Sequence, residues 1–341
     1  MKLHGFIHTT KVFRFVGAAR LSILLLFVCL VLCITLASPQ SVNIEPRIRS
    51  VAHANGGGDN TPNIRVDSNL VLIPVTVVDR HDQMIAGLEK ERFKLYEDKV
   101  EQVITHFALD DAPVSVGLVF DASGSMDRKM RKSREAVGQF LKTSNPEDEF
   151  FLVQFNDTVE LLCGLTQQSE DIQNRLMWIR PKGRTALLDA IYFSLQQMKK
   201  AHNARKAIII VSDGGDNYSR YSIGEIKNAV READVQLYAI GIFEPPDTRA
   251  RTFEELSGPI LLGAVAEQSG GRLFEIDDVN ELPDVALKIG QAIRNQYILG
   301  YTPANLRRDG KYRAVKVTLM LPKGFPKARA SWRRGYYAPV D

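Results

Sequence analysis

The chain has 341 residues, 45% of them hydrophobic, which is enough to bury a sizeable core and more than one average domain needs. Its formal charge of +4 comes from Lys2, Lys11, Arg14 and Arg20, the only charged side chains before residue 41, and without them 40 basic residues face 40 acidic ones. So balanced a remainder lacks the basic excess that marks a nucleic-acid-binding chain.

The four early charges precede an uncharged apolar run, LSILLLFVCLVLCITLA, over residues 21–37. Residues 1–40 therefore read as a cleaved signal peptide or an uncleaved membrane anchor, with Thr35-Leu36-Ala37 a fair cleavage site. Neither Cys29 nor Cys33 follows a small residue, which argues against a lipid-modified cysteine. A processed chain would keep only Cys163, so an internal disulfide is excluded. In its apolar setting, VELLCGL, Cys163 reads as a packed small hydrophobe rather than a nucleophile.

Residues 41–63 hold Pro, Asn and Gly56-Gly57-Gly58 without a sustained apolar period and read as a flexible linker. Over 64–110, LVLIPVTVVD, FKLYED and VEQVITHF give an N-terminal β segment, with turns expected at Asp79 to Gly87 and at Asp98. From 113 to 296 apolar runs of strand length, VSVGLVF, FFLVQF, AIIIVS and VQLYAIGIF, alternate with helical segments. In two of those segments, Leu188, Ile191, Leu195, Met198 and Val285, Ile289, Ile293 keep helical spacing. Nearly continuous apolar strands are what a sheet covered by helices on both faces requires. The fold class is therefore α/β: a doubly wound, mainly parallel sheet. Residues 297–341 return to a β pattern in QYILGYT, YRAVKVTLML and ARASWRRGYY, with Asp309-Gly310 as a hairpin signal. Neither flank is long enough for its own core, so 64–110 and 297–338 are expected to pair into one β module.

LVFDASGSM ends an apolar strand in Asp121, Ser123 and Ser125, whose oxygens at i, i+2 and i+4 can converge beyond the carboxyl end of the strand. Alone, this pattern is explained as well by Ser123 or Ser125 capping the next helix while Asp121 forms a turn. GRTALLDA adds Thr185 at the entrance of a helix, and AIIIVSDGGDN ends another strand with Asp213. Two carboxylates and three hydroxyls at one sheet edge, with no His or Cys, suit Mg²⁺ first and Mn²⁺ or Ca²⁺ as alternatives. Asp127, Asp189 and Asp216 lie close in sequence, as supporting partners or as surface residues.

These residues resemble a known family. VFDASGSM, GRTALLDA and VSDGGDN are similar to the three loops of the metal-ion-dependent adhesion site (MIDAS) of von Willebrand factor type A (VWA) domains. That resemblance implies that Ser123 and Ser125 bind the ion directly, Thr185 directly or through water, and Asp121 and Asp213 often through water. The flanking VTVVDRHDQMIAGLEKERFKLYEDKVEQVI and QYILGYTPANLRRDGKYRAVKVTL resemble exported, von Willebrand factor A-related bacterial proteins known chiefly from acidobacteria.

Residues 304–336 carry ten Lys or Arg against Asp309 alone, which reads as the solvated face of strands before it reads as a site for an anionic partner. No GxxxxGK[ST], HExxH or GxSxG pattern is present, none of the six histidines joins the five-residue set, and no general base stands out. The expected function is therefore not catalytic. It is an exported binding module, secreted, periplasmic or attached to the cell envelope, that captures a carboxylate of a partner protein through the cation. The alternatives are an assembly subunit of an envelope complex and a metal-dependent hydrolase.

Overall fold

A computed structural model describes residues 70–243 and 253–340. The apolar run at 21–37, the linker at 41–63 and the strand start expected near Ile64 lie outside the described residues. Among the described residues, no helix is long and apolar enough to cross a membrane.

The central sheet is built from β5 (Val114–Asp121), β6 (Glu149–Phe155), β7 (Val159–Thr166), β8 (Arg205–Ser212), β9 (Gln236–Ile242) and β10 (Leu273–Ile276). Their order is β10-β9-β8-β5-β6-β7, parallel throughout except for β7, which runs antiparallel at the edge. Successive side chains point to opposite faces of a strand, and here both faces are covered. Val116, Leu118 and Phe120 of β5, with Ala207, Ile209 and Val211 of β8, pack against α1 (Met130–Leu141), α2 (Ser169–Leu176) and α6 (Leu282–Arg294). Val119, Ile208 and Ile210 turn the other way, toward α3 (Leu187–Met198), α4 (Ile223–Glu232) and α5 (Phe253–Ser269). The helical spacings read from sequence fall in α3 and α6, where each of the seven residues is buried.

The flanking segments combine, as expected of two stretches each too short for a core of its own. β1 (Val71–Asp79) lies between β11 (Gln296–Tyr301) and β13 (Ala328–Trp332), antiparallel to both, with β4 (His106–Asp110) outside β11. A second antiparallel sheet runs β14-β12-β2-β3, from β2 (Phe93–Glu97), β3 (Val100–Gln102), β12 (Tyr312–Leu319) and β14 (Gly335–Tyr337). Both sheets bury their inner residues in one core: Ile73, Val75, Leu95, Tyr297, Tyr301 and Val317 are at most 3% exposed.

Two expectations for these flanks are corrected. VEQVITHF is not one strand: β3 and β4 belong to different sheets, and the crossing runs through the 79% exposed Val103. Asp309-Gly310 does not close a hairpin between β11 and β12, because those strands also belong to different sheets; Gly310 keeps its positive φ of 66°, and Asp309 bridges Val340 instead. The hairpin turn lies at Asp98-Lys99, both at positive φ, where Glu97 faces Val100. The basic tract is divided: Lys316 lies on the exposed face of β12, whereas Arg313 is buried and pairs with Asp309 at 2.7 Å.

Candidate metal centre

β5 and β8 are paired in register, Phe120 opposite Val211, so Asp121 and Ser212 finish at the same edge of the sheet. Asp121 is fully buried, and both its oxygens are engaged. Oδ1 accepts from the Ser123 N–H at 2.8 Å, and Oδ2 accepts from the Ser212 hydroxyl at 2.5 Å. Ser123 is buried and Ser125 exposed, with their hydroxyl oxygens 3.1 Å apart. Helix capping does not explain these serines: Ser123 precedes a single 3-10 turn, Gly124–Met126, but its side chain makes no capping bond, and the residue before α1 is Lys129.

Backbone hydrogen bonds stitch the second loop to the first, Lys182 N–H to Ala122 O at 2.9 Å and Gly124 N–H to Gly183 O at 3.1 Å. Gly183 has φ 78°, and a Cβ there would run into the Asp157 carboxylate, so both its conformation and its surroundings select glycine. Asp157 accepts from the Arg184 N–H at 2.8 Å and fixes the turn that delivers Thr185. The second loop is joined in turn to the third. The Thr185 carbonyl accepts from the N–H groups of Asn217 and Tyr218, each at 3.1 Å, and its own N–H donates to Asn217 Oδ1 at 3.0 Å. Thr185 is thus buried in a segment clamped between the other two loops.

Asp213, the next residue after β8, is buried, and its Oδ2 lies 3.2 Å from Lys129 Nζ. Burial pushes the Asp121 carboxyl up and the nearby Asp213 charge pushes it further; the Ser123 and Ser212 hydrogen bonds only partly oppose this, and it reaches about 7. A carboxylate pair in this state is stabilised by a cation brought between or beside it. The oxygens at hand are carboxylate and hydroxyl, the hard donors that suit Mg²⁺ or Ca²⁺. Among the described residues no three His, Cys, Asp or Glu side chains cluster as a metal site, so a cation here depends on the serine and threonine oxygens.

Of the three nearby acids, two, Asp216 and Asp189, tie the third loop to the helix that follows Thr185. Asp216 accepts from the Leu187 N–H at 2.9 Å and the Ser219 hydroxyl at 2.6 Å, which fixes the first turn of α3. Asp189 holds Arg220 through its backbone N–H and its Nε, both at 2.9 Å, and Asp127 is exposed. Two contributors escaped the sequence reading. Ser212 was signalled only by its place before Asp213, and Lys129 by nothing, since it sits in the charged stretch DRKMRK.

Residues 116–215 match the von Willebrand factor type A domain family. Inter-alpha-trypsin inhibitor heavy chain H2 of Sus scrofa is 28% identical over 151 residues, which are 40% of this chain and 16% of that protein. Inter alpha-trypsin inhibitor, heavy chain 4, of Mus musculus is 29% identical over 146 residues, 38% of this chain and 16% of its own length. The chain thus spans about a sixth of these curated relatives. Among solved structures, a von Willebrand factor type A protein from Catenulispora acidiphila aligns over 82% of this chain and 76% of its own, at 15% identity and a TM-score of 0.47.

Proposed function

The chain carries a von Willebrand factor type A domain, and we propose that this domain captures a carboxylate of a partner protein through a divalent cation held by Asp121, Ser123, Ser125, Thr185 and Asp213. One observation carries the reading: the fully buried Asp121 carboxylate lies near a second buried carboxylate, Asp213, and beside two serine hydroxyls 3.1 Å apart at a sheet edge. The roles divide by chemistry. Ser123 and Ser125 offer neutral oxygens, Asp121 and Asp213 offer charge, and the Ser212 hydroxyl and the Ser123 N–H hold the Asp121 carboxylate in one orientation. A bound Mg²⁺, or Mn²⁺ or Ca²⁺ in its place, supplies Lewis acidity toward an incoming carboxylate, because the protein provides only two anionic groups.

The charged and then apolar residues 1–37 support an exported protein, secreted, periplasmic or attached to the cell envelope. An ion that served mainly to hold the loops is less favoured, since backbone hydrogen bonds already tie the three loops together.

The test is a pull-down from envelope extract in Mg²⁺ and in chelator, with wild type beside Asp121→Ala. Capture that needs Mg²⁺ and fails with the variant is the expected result. Capture that survives both chelation and the substitution would end the adhesion reading.

A further inference from the structure

Lys129 stands immediately before α1, and its flanking basic residues Arg128 and Arg131 are exposed, whereas Lys129 itself is only 6% exposed. A lysine normally keeps its ammonium in water by extending its stem outward. This one turns inward, and its Nζ lies 3.2 Å from Asp213 Oδ2 with both side chains less than a tenth exposed. A buried charge of this kind persists where a partner answers it, and the partner is one of the five residues assigned to the cation.

We propose that Lys129 is the built-in counter-cation of the metal centre: its ammonium competes with the divalent ion for Asp213 and sets the affinity of the site for metal. This rests on the metal-binding reading above and deepens it. Asp121 and Asp213 together would carry two negative charges, and Lys129 reduces the protein's share to one. A divalent ion then leaves the site with an excess positive charge, which a partner carboxylate neutralises. Lys129 therefore weakens ion binding and makes the loaded site more receptive to an acidic ligand. It also gives Asp213 a partner in the metal-free protein, so the third loop is held whether or not metal is present. Even with the full screening of bulk water, repulsion of a divalent ion by one unit charge a few ångströms away amounts to about a tenfold change in affinity or more.

The experiment is a calorimetric titration of the full chain with Mn²⁺ alone, for wild type, Lys129→Met, Lys129→Gln, Lys129→Arg and Asp121→Ala, with thermal unfolding of each in chelator and in Mn²⁺. Lys129→Met and Lys129→Gln are expected to bind Mn²⁺ about tenfold more tightly than wild type, and Lys129→Arg, which keeps the charge, to stay near it. In chelator Lys129→Met is expected to unfold at a lower temperature, and Mn²⁺ to restore the loss. Should it fail to fold in chelator but fold on addition of Mn²⁺, the proposal is equally supported, and Lys129→Gln supplies the affinity. If wild type binds Mn²⁺ and the two neutral variants bind it no more tightly, the counter-cation role is overturned and the metal centre stands. If no protein in the series binds Mn²⁺, the metal reading falls and this inference with it.

Discussion

The two ends of the parallel sheet each bury a pair of acids; one acid of each pair meets a basic side chain, Asp148 with Arg294 and Asp213 with Lys129, but the other two, Glu149 and Asp121, are treated in opposite ways. At the amino edge, where β5, β6 and β8 begin, Asp148 and Glu149 are 0% and 6% exposed and fully supplied with donors. Asp148 accepts from the Val114 N–H at 2.9 Å, the Asn145 N–H at 2.7 Å and the Arg294 guanidinium. Glu149 accepts from the Ser115 hydroxyl at 2.6 Å, the His202 N–H at 2.5 Å and the His202 ring. Burial raises the Glu149 carboxyl, but the hydrogen bonds from His202, Ser115 and Asn203 outweigh it and leave the group below its ordinary range. At the carboxyl edge, Asp121 receives two hydrogen bonds, faces a second carboxylate and is pushed up to about 7. Burial raises the carboxyl at both ends, more strongly at Asp121; at Glu149 hydrogen-bond donors outweigh it, and at Asp121 a second carboxylate adds to it. The amino edge is a finished structural joint, and the carboxyl edge, on the function proposed above, is a set of oxygens that a cation would complete.

Substitutions at the finished joint should have the largest effect. Asp148→Ala leaves the Arg294 guanidinium without its carboxylate and strips two backbone N–H groups of their acceptor, so a loss of about 3–5 kcal/mol is expected in urea unfolding, unchanged by added Mg²⁺. Rescue by Mg²⁺ would erase the distinction between the two ends.

Glu149→Gln should lose about 1.5–3 kcal/mol at neutral pH, the value of hydrogen bonds to a charged group. Because the folded-state value is depressed below 4.5, this stability is present above the unfolded value and lost as the pH falls through the folded one. The gap between wild type and variant should therefore narrow below about pH 4, and a gap that stays constant with pH would remove the charge from the explanation.

Asp121 carries the opposite sign. Its folded-state carboxyl titrates near 7 against 3.8 for the unfolded chain, so between those values the folded protein holds the extra proton and stability falls as the pH rises. In chelator, Asp121→Asn should be more stable than wild type at pH 8, on the order of 1–2 kcal/mol, and should lose the slope between about pH 4 and 7. In saturating Mg²⁺ the wild-type slope should flatten, because the cation replaces the proton. A destabilised Asp121→Asn protein at pH 8 would show that the carboxylate is a structural group like Glu149.

The smallest effect is expected at the exposed Ser125. Ser125→Ala should leave unfolding within about 0.5 kcal/mol of wild type while weakening Mn²⁺ binding in the same titration that serves Lys129.

The contrast also explains what could be read in the sequence. β5, β8 and β9 were visible because strands covered on both faces carry nearly continuous apolar runs, and Asp121 and Asp213 were visible because each directly follows such a run or its closing serine. Ser123 and Ser125 were read from spacing within one short loop and Thr185 from its place at the entrance of a helix, features that local sequence encodes. Lys129 did not follow, because its ammonium meets Asp213 across 84 positions of chain and its local setting is that of a solvated helix start. The amino-edge joint was equally hidden: the Arg294 to Asp148 pair spans 146 positions, and neither residue sits in a pattern that distinguishes it from surface charge. For the same reason the split of VEQVITHF between two sheets was missed, since strand propensity gives the element and tertiary pairing gives the sheet.

The central claim is tested most directly by diffraction from crystals soaked in Mn²⁺, with anomalous data collected at the manganese edge. The account predicts a single strong peak among the side-chain oxygens of Asp121, Ser123, Ser125, Thr185 and Asp213, lost in Asp121→Ala. Crystals that bind Mn²⁺ only elsewhere, or whose peak persists in that variant, would contradict it.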